Sequence, residues 1–256
     1  MIVRNPNWTR EELIVAFNLY CKLTFTRINA SNVEVKELAE IIGRSNNAVA
    51  IKLANFARLD PALQARDVKG MSHGGHGEEL VWDEFTNNWD QLAYESELIL
   101  AKYKGISIDM EVDLSDLPEI REGLEKESIV KTRVNQSFFR KTILASYNQT
   151  CCITGIQIPE LLIASHIVPW SENQIERMNP HNGLCLNALH DKAFDRGFIT
   201  ITPDYRIKIS DLFKDHINST KENFFLPFEN RTISLPGRFL PKKEFLDYHF
   251  NQIFIK

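Results

Sequence analysis

The sequence has no apolar run of about 18 residues, so no transmembrane helix is expected. Its N-terminal segment, MIVRNPNWTREE, lacks the apolar core of a secretory signal peptide. No pair among its 4 cysteines has the CxxC spacing of a structural zinc site. We therefore expect a cytoplasmic protein without a membrane partner, whose cysteines are packed thiols in a reducing compartment.

The chain also lacks the net positive charge that is typical of nucleic-acid-binding proteins, because its formal net charge is −4. The acidic residues are concentrated in the middle, where residues 71–130 carry 15 Asp and Glu against 4 Lys and Arg. Residues 1–70 carry 10 basic against 7 acidic residues, and residues 131–256 carry 16 against 12. Because phosphate binding depends on local fields, these mildly basic ends are compatible with a nucleic-acid partner, although ordinary solvated faces give similar imbalances.

Capping patterns near the N-terminus predict two helices. Thr9 and Glu12 form a capping box at the start of the first helix. Ser31 and Glu34 form the same pattern at the start of the second helix. In such a box the hydroxyl and the carboxylate each accept a hydrogen bond from a backbone amide that the helix leaves unpaired.

The second predicted helix ends at Gly43, and Ser45 caps a third helix after a short turn. Two helices joined in this way, with another ahead of them, are typical of a helix-turn-helix unit, and residues 37–49 resemble DNA-binding helix-turn-helix domains. The alternative is a helical module for dimerisation or partner binding. Arg and Asn suit the major-groove edges of guanine and adenine. The outward-facing candidates for DNA binding are Arg44, Asn46, Asn47 and Lys52.

Composition predicts the domain boundaries. We expect a helical N-terminal domain over residues 1–104, with a glycine-rich flexible linker within it at residues 70–77. The acidic residues 105–130 are predicted to be an interdomain linker, and residues 131–256 a C-terminal domain. An amphipathic helix is expected to open that second domain. Its candidates for contacts with DNA phosphates are Arg140 and Lys141.

The segment of residues 151–197 contains a strand, loop, strand and helix by pattern. Its first apolar run predicts a strand that carries His166 at its end. Asn182 lies in a predicted turn, and a short apolar strand follows it. The next stretch is helical, carries His190 and ends at Gly197. This order predicts a hairpin that carries His166 and faces His190 on a helix.

Three motifs in this segment resemble the HNH endonucleases, also called ββα-metal nucleases. ASHIVPW contains His166, NPHNGL contains Asn182, and HDKAFDRG begins at His190. They are most similar to a branch found in bacterial restriction-type proteins, with ASHI-x-PW, NP-x-NGL and H-x-x-x-FDRG. The resemblance covers residues 137–201 and implies a ββα-metal nuclease domain. Together with the helical N-terminal domain, it predicts an α+β protein.

The resemblance implies a role for each motif residue. His166 is the general base, because a neutral histidine can take a proton from water near neutral pH. Asn182 fixes the hairpin loop and orients the base. His190 binds a divalent metal ion, Mg²⁺ or Mn²⁺, which neutralises charge on the phosphate and the leaving oxygen.

The metal ligands are less clear than the base. Many HNH proteins carry a metal-binding Asp or His just before the base, where this chain has Ser165, a poor ligand. The metal is therefore expected on the helix, bound by His190 with Asp195. Asp191 and Asp195 share a helix face, whereas His190 and Asp195 lie about 140° apart on a regular helix. Asp191 is accordingly the substitute ligand.

These residues predict a metal-dependent DNA endonuclease of the restriction or phage-defence type. One alternative is a DNA-binding regulator with a degenerate nuclease domain, which the intact His–Asn–His set argues against and Ser165 argues for. Another is a structure-selective or homing-type nuclease. DNA is the expected partner, and a homodimer is left open.

Overall fold

The computed structural model describes residues 7–66, 74–111, 124–173, 175–217 and 224–256. The chain forms two compact units, Met1–Lys141 and Thr142–Lys256. The first unit is built from helices, and the second combines short strands with helices. The predicted α+β class is therefore confirmed.

The first unit contains eight α-helices among its described residues. Its last helix, α8, continues into the second unit. The helices are α1 (Arg10–Lys22), α2 (Val33–Ile41), α3 (Asn46–Ala57), α4 (Pro61–Gln64), α5 (His76–Phe85), α6 (Trp89–Lys104), α7 (Ile108–Glu111) and α8 (Leu124–Ser146).

The starts of α1 and α3 confirm the predicted caps. The Thr9 hydroxyl accepts a hydrogen bond from the Glu12 amide at 3.2 Å, and the Glu12 carboxylate accepts one from the Thr9 amide at 2.7 Å. The Ser45 hydroxyl accepts from the Ala48 amide at 3.2 Å. Each bond satisfies an amide that the first turn of a helix leaves unpaired.

The predicted cap of α2 is wrong by one residue. Asn32 caps this helix instead of Ser31. The Asn32 side-chain oxygen accepts from the amides of Glu34 and Val35, at 2.8 and 3.2 Å. An asparagine that reaches two unpaired amides outcompetes the hydroxyl one position earlier, which reaches neither.

Aromatic side chains form the core of the first unit. Phe17 of α1 packs against Phe56 of α3, with ring centroids 4.9 Å apart. It also contacts Trp82 of α5 at 5.1 Å and Trp89 of α6 at 6.2 Å. Each fully buried side chain of this size contributes about 1.5–3 kcal/mol of burial free energy, so these rings fix α1 against its neighbours.

The second unit contains the predicted order of strand, loop, strand and helix. The described strands pair antiparallel, β1 with β2 and β3 with β4. A π-helical turn, His249–Ile253, follows the last helix. The elements are β1 (Leu162–His166), β2 (Gly183–Asn187), α9 (Ala188–Asp195), β3 (Ile199–Ile201), β4 (Ile207–Ile209), α10 (Asp211–Ile217) and α11 (Lys243–Tyr248).

Gly197 ends α9, as predicted. Its φ of +70° lies in the left-handed region, and its amide donates to the Phe194 carbonyl at 2.9 Å. A Cβ at this position would collide with the carbonyl oxygen of Ile253. Glycine is therefore needed both to turn the chain and to let the C-terminal turn pack beside α9.

The predicted domain boundaries remain a prediction. The division between the two units falls inside α8, whereas we expected boundaries at residues 104 and 131. Residues 70–73 of the predicted glycine-rich linker and residues 112–123 of the predicted acidic linker lie outside the described part of the chain. No helix in the described part is long and apolar enough to cross a membrane.

Candidate active site

The β1–β2 hairpin positions His166. Its register pairs His166 with Gly183 and Ser165 with Leu184. Residues directly opposite in an antiparallel pair share one face of the sheet. Because glycine has no side chain, the position across from the imidazole stays open.

Asn182 is fully buried and holds the loop that follows His166. Its side-chain oxygen accepts from the Val168 amide at 2.8 Å, and its side-chain nitrogen donates to the Val168 carbonyl at 3.1 Å. Its own carbonyl accepts from the Ile167 amide at 2.9 Å. These bonds fix the backbone immediately after His166, so Asn182 can act on the imidazole through the loop.

A backbone carbonyl sets the tautomer of His166. The Nε2 atom lies 2.9 Å from the carbonyl oxygen of Arg177. A carbonyl oxygen only accepts, so Nε2 carries the proton and donates it. In the neutral ring the lone pair then lies on Nδ1, which is the atom able to accept a proton.

The surroundings of His166 favour the neutral ring. Burial lowers the pKa of His166 below its usual value of 6.5, and the nearby charge of Arg177 lowers it further, while the hydrogen bond to the Arg177 carbonyl acts in the opposite direction. Trp170 packs edge-on against the imidazole with ring centroids 5.5 Å apart. At neutral pH the ring is therefore uncharged and ready to accept a proton.

His166 lines a pocket of about 450 Å³ together with two carboxylates of α9, Asp191 and Asp195. These carboxylates are four residues apart on a helix, so both face the pocket. Pro169 and Trp170 form part of the opposite wall. The pocket thus combines a proton acceptor with two anionic oxygen donors.

The two carboxylates influence each other. Burial raises the pKa of Asp191, and both burial and the charge of Asp191 raise the pKa of Asp195. The Ser165 hydroxyl is buried, makes no hydrogen bond of ordinary geometry with the described residues, and lies near enough to Asp191 to lower its pKa in part. Two anionic groups held together in this way favour a bound cation.

His190 does not face His166, which corrects the expected placement. Its side chain is buried on another side of α9 and does not line the pocket. Its Nε2 donates to the carbonyl of Phe224 at 3.0 Å, and its Nδ1 accepts from the side-chain nitrogen of Asn187 at 2.9 Å. Because both ring nitrogens are used, His190 has no lone pair available for a metal in this arrangement.

The family model HNH_2, described as HNH endonuclease, matches residues 151–202. This segment thus matches an HNH endonuclease domain. A comparison with curated proteins gives no match. The matched segment contains β1, β2 and α9, and therefore the whole pocket wall formed by the hairpin and the helix.

HNH nucleases generally depend on a divalent metal ion, and the pocket of this HNH domain fits one. The described residues contain no group of three or more His, Cys, Asp or Glu side chains that could hold a metal. Mg²⁺ is often bound through one or two carboxylates, with waters and phosphate oxygens as the remaining ligands. Asp191 and Asp195 supply such a pair. Their pKa values are raised, and a bound cation would lower them by favouring the charged carboxylates.

Asp191, predicted only as a substitute ligand, lines the pocket together with Asp195, and three further pocket residues were not predicted. Lys192 of α9 and its C-cap residue Arg196 also line the pocket, and His249 reaches it from the C-terminal turn. The spacing of four residues between Asp191 and Asp195 was the available signal. No local pattern could have placed His249, which lies far from α9 in the sequence.

The basic residues predicted to face outward from the first unit are engaged within it, which corrects that expectation. Arg44 donates to Glu12 at 2.7 Å, with side chains 8% and 7% exposed. Lys52 donates to Glu78 at 2.5 Å, with side chains 14% and 2% exposed. Residues 26 or more positions apart form these ion pairs, so the helix pattern alone could not show them.

The remaining DNA-binding candidates are exposed but untested. Asn46 and Asn47 lie at the exposed start of α3, and Arg140 and Lys141 lie on the exposed side of α8. Exposure is compatible with DNA contact without demonstrating it. Their role in binding stays a prediction.

Proposed function

We propose that the HNH domain hydrolyses phosphodiester bonds in DNA with His166 as the general base and Asp191 and Asp195 as ligands of Mg²⁺ or Mn²⁺. The observation that carries this proposal is the shared pocket, in which all three side chains line one cavity. A base and a metal-binding pair must both reach the same phosphate, and only a common cavity allows this.

His166 supplies the proton acceptor. The Arg177 carbonyl holds the Nε2 proton, so Nδ1 takes the proton from the attacking water. Burial keeps the ring neutral at the pH where the reaction runs. Asn182 holds the loop after His166 and thereby limits the movement of the ring relative to α9.

Asp191 and Asp195 supply the metal-binding oxygens. A bound divalent ion neutralises the developing charge on the phosphate and the leaving oxygen. The two carboxylates orient that ion from one face of α9, and the antiparallel hairpin fixes the helix relative to His166. His190 supports the helix by its hydrogen bond to Asn187, whose side chain caps α9.

The alternative is a DNA-binding regulator whose nuclease domain no longer cleaves. Ser165 favours it, because a buried hydroxyl stands where many relatives place a third metal ligand. The restriction or phage-defence role remains a prediction, as does a structure-selective or homing-type activity. No finding on the described residues supports a homodimer, so the proposal concerns a single chain.

Cleavage of supercoiled plasmid DNA by the full chain tests the proposal. We expect nicked or linear product with Mg²⁺ or Mn²⁺ and none with EDTA. His166→Ala should lower the cleavage rate by about 10²- to 10⁴-fold, because a general base contributes that much, while DNA binding is retained. The wild-type rate should fall as pH drops below 6.5, where His166 gains a proton at its lowered pKa.

His216→Ala is the matched control, because His216 is exposed on α10 in the same unit. It should cleave at the wild-type rate. DNA binding by the wild type without cleavage in any divalent metal would favour the regulator. Equal loss of rate in both histidine variants would remove His166 as the base.

A further inference from the structure

Two basic residues, Lys192 and Arg196, lie next to the carboxylates of α9. A regular helix turns by about 100° per residue, so Lys192 follows Asp191 by about 100° and Asp195 by about 60° around α9. Arg196 is the C-cap residue of this helix and directly follows Asp195. All four residues line the pocket with His166.

These two cations are not neutralised by ion pairs. Within the described residues, the side chains of Lys192 and Arg196 form no hydrogen bond or ion pair, although their charges lower the pKa of Asp195 in part. Both side chains are exposed. An exposed cation that lines a pocket without a protein partner is available to an anionic ligand.

We infer that Lys192 and Arg196 form a binding site for a DNA backbone phosphate, next to the metal-binding carboxylates on the same helix. This inference rests on the proposed nuclease function and adds the residues that hold the substrate. The chemical class of ligand is a phosphodiester anion of double-stranded DNA, which Arg recognises through two parallel N–H donors and Lys as a point charge.

Charge balance in the pocket explains why such a pair is needed. Asp191 and Asp195 would repel an approaching phosphate. Lys192 and Arg196 offset that repulsion, because they carry two positive charges beside the two carboxylates in the same pocket. Asp191 and Asp195 would hold a divalent ion, whose charge would add to the attraction for the phosphate.

DNA binding in EDTA tests this site separately from cleavage. The full-length protein is titrated into a short fluorescein-labelled DNA duplex at several salt concentrations, and anisotropy is recorded. Lys192→Gln and Arg196→Gln should each weaken binding and reduce the slope of log affinity against log salt by about 1, because each lost phosphate contact releases about one counterion fewer. Arg196→Lys should retain most of the slope.

Lys208→Gln is the matched control, since Lys208 is exposed on β4 and lines a different pocket. It should keep the wild-type slope. Circular dichroism establishes that each variant is folded, and calorimetry with Mn²⁺ should give a metal affinity no lower than that of the wild type, because each α9 variant removes a cation that repels the metal. Wild-type slopes for both α9 variants, or an equal loss in Lys208→Gln, would overturn the inference. If the wild type does not cleave DNA, the proposed nuclease function is rejected. The salt slopes still test whether Lys192 and Arg196 bind a phosphate, because they are measured without cleavage.

Discussion

The two units of this protein use their basic residues in opposite ways. In the first unit, Arg44 and Lys52 lie against buried carboxylates at 2.7 and 2.5 Å. In the second unit, Lys192 of α9 and its C-cap residue Arg196 line an open pocket without an ion pair among the described residues. Their surroundings separate the stabilising role of the first pair from the binding role that we propose for the second.

The difference arises from the neighbouring helices. Glu78 of α5 and Glu12 of α1 are buried, and burial alone would oppose their charges. Burial is the largest single influence on each carboxylate, but the hydrogen bonds from Lys52 and Asn55 to Glu78, and from Arg44 and Thr9 to Glu12, together outweigh it and hold each pKa below its usual value. Arg44 and Lys52 are therefore tied to their own unit, and the DNA binding predicted for this unit would rest on other residues.

The largest expected effect is on the stability of the first unit. Lys52→Ala should destabilise it by about 3–5 kcal/mol, because the buried Glu78 carboxylate would keep only its hydrogen bond from Asn55. Urea denaturation with hydrogen exchange at α3 and α5 measures this loss. Lys208→Ala, at an exposed site, should change stability by no more than about 0.5 kcal/mol. If Lys52→Ala bound DNA more weakly at unchanged stability, Lys52 would have a binding role, and the contrast between the two units would be wrong.

Acid should affect the two units in different pH ranges. Burial lowers the pKa of His249 from 6.5 to about 4. The unfolded chain binds the proton more readily, so the second unit should lose up to about 3 kcal/mol as pH falls from 6.5 to about 4. The ion pairs of Glu12 and Glu78 contribute stability that persists above 4.5 and is lost only as pH falls through their lowered pKa values.

Hydrogen exchange, measured for the amides of each unit between pH 6.5 and 4, tests which unit loses protection first. Amides of β3 and α9 should lose protection before those of α1 and α3. His249→Gln should reduce the response of the second unit between pH 6.5 and 4, with the remainder due to His166 and His190, and should leave the first unit unchanged. Simultaneous loss of protection in both units would remove the difference in acid response.

Local signals predicted the frame of the site. The apolar run of β1, the turn at Asn182, the second strand and the glycine at 197 depend on neighbours in sequence, and all are confirmed. Helix caps also depend on residues that are close in sequence, so the predicted N-cap of α2 was wrong by only one residue. Interactions within a few residues are visible in a sequence because chain connectivity already holds the partners together.

Contacts between residues that are distant in sequence determine the position of His190, which local patterns could not show. The carbonyl of Phe224 occupies one nitrogen of His190 from 34 residues away, and the rings of Phe225 and Phe228 cover the imidazole. The helical phase already separated His190 from Asp195 by about 140°. The prediction paired His190 with Asp195 because of the resemblance to HNH motifs. The helical angle was the better guide, because Asp195 lines the pocket and His190 does not.

The smallest expected effects distinguish a structural role of His190 from a role as metal ligand. His190→Ala should destabilise the second unit by about 1–3 kcal/mol, because it removes the donor to the Phe224 carbonyl and one of the hydrogen bonds of the buried Asn187 side chain. In the folded variant the metal affinity should stay near that of the wild type. Asp191→Asn should instead keep stability and lower Mn²⁺ affinity by at least about tenfold, since even outer-shell losses cost about 10- to 100-fold. Calorimetric Mn²⁺ titration and urea denaturation of both variants measure the two effects, and weakened metal binding in His190→Ala alone would return His190 to the role of ligand.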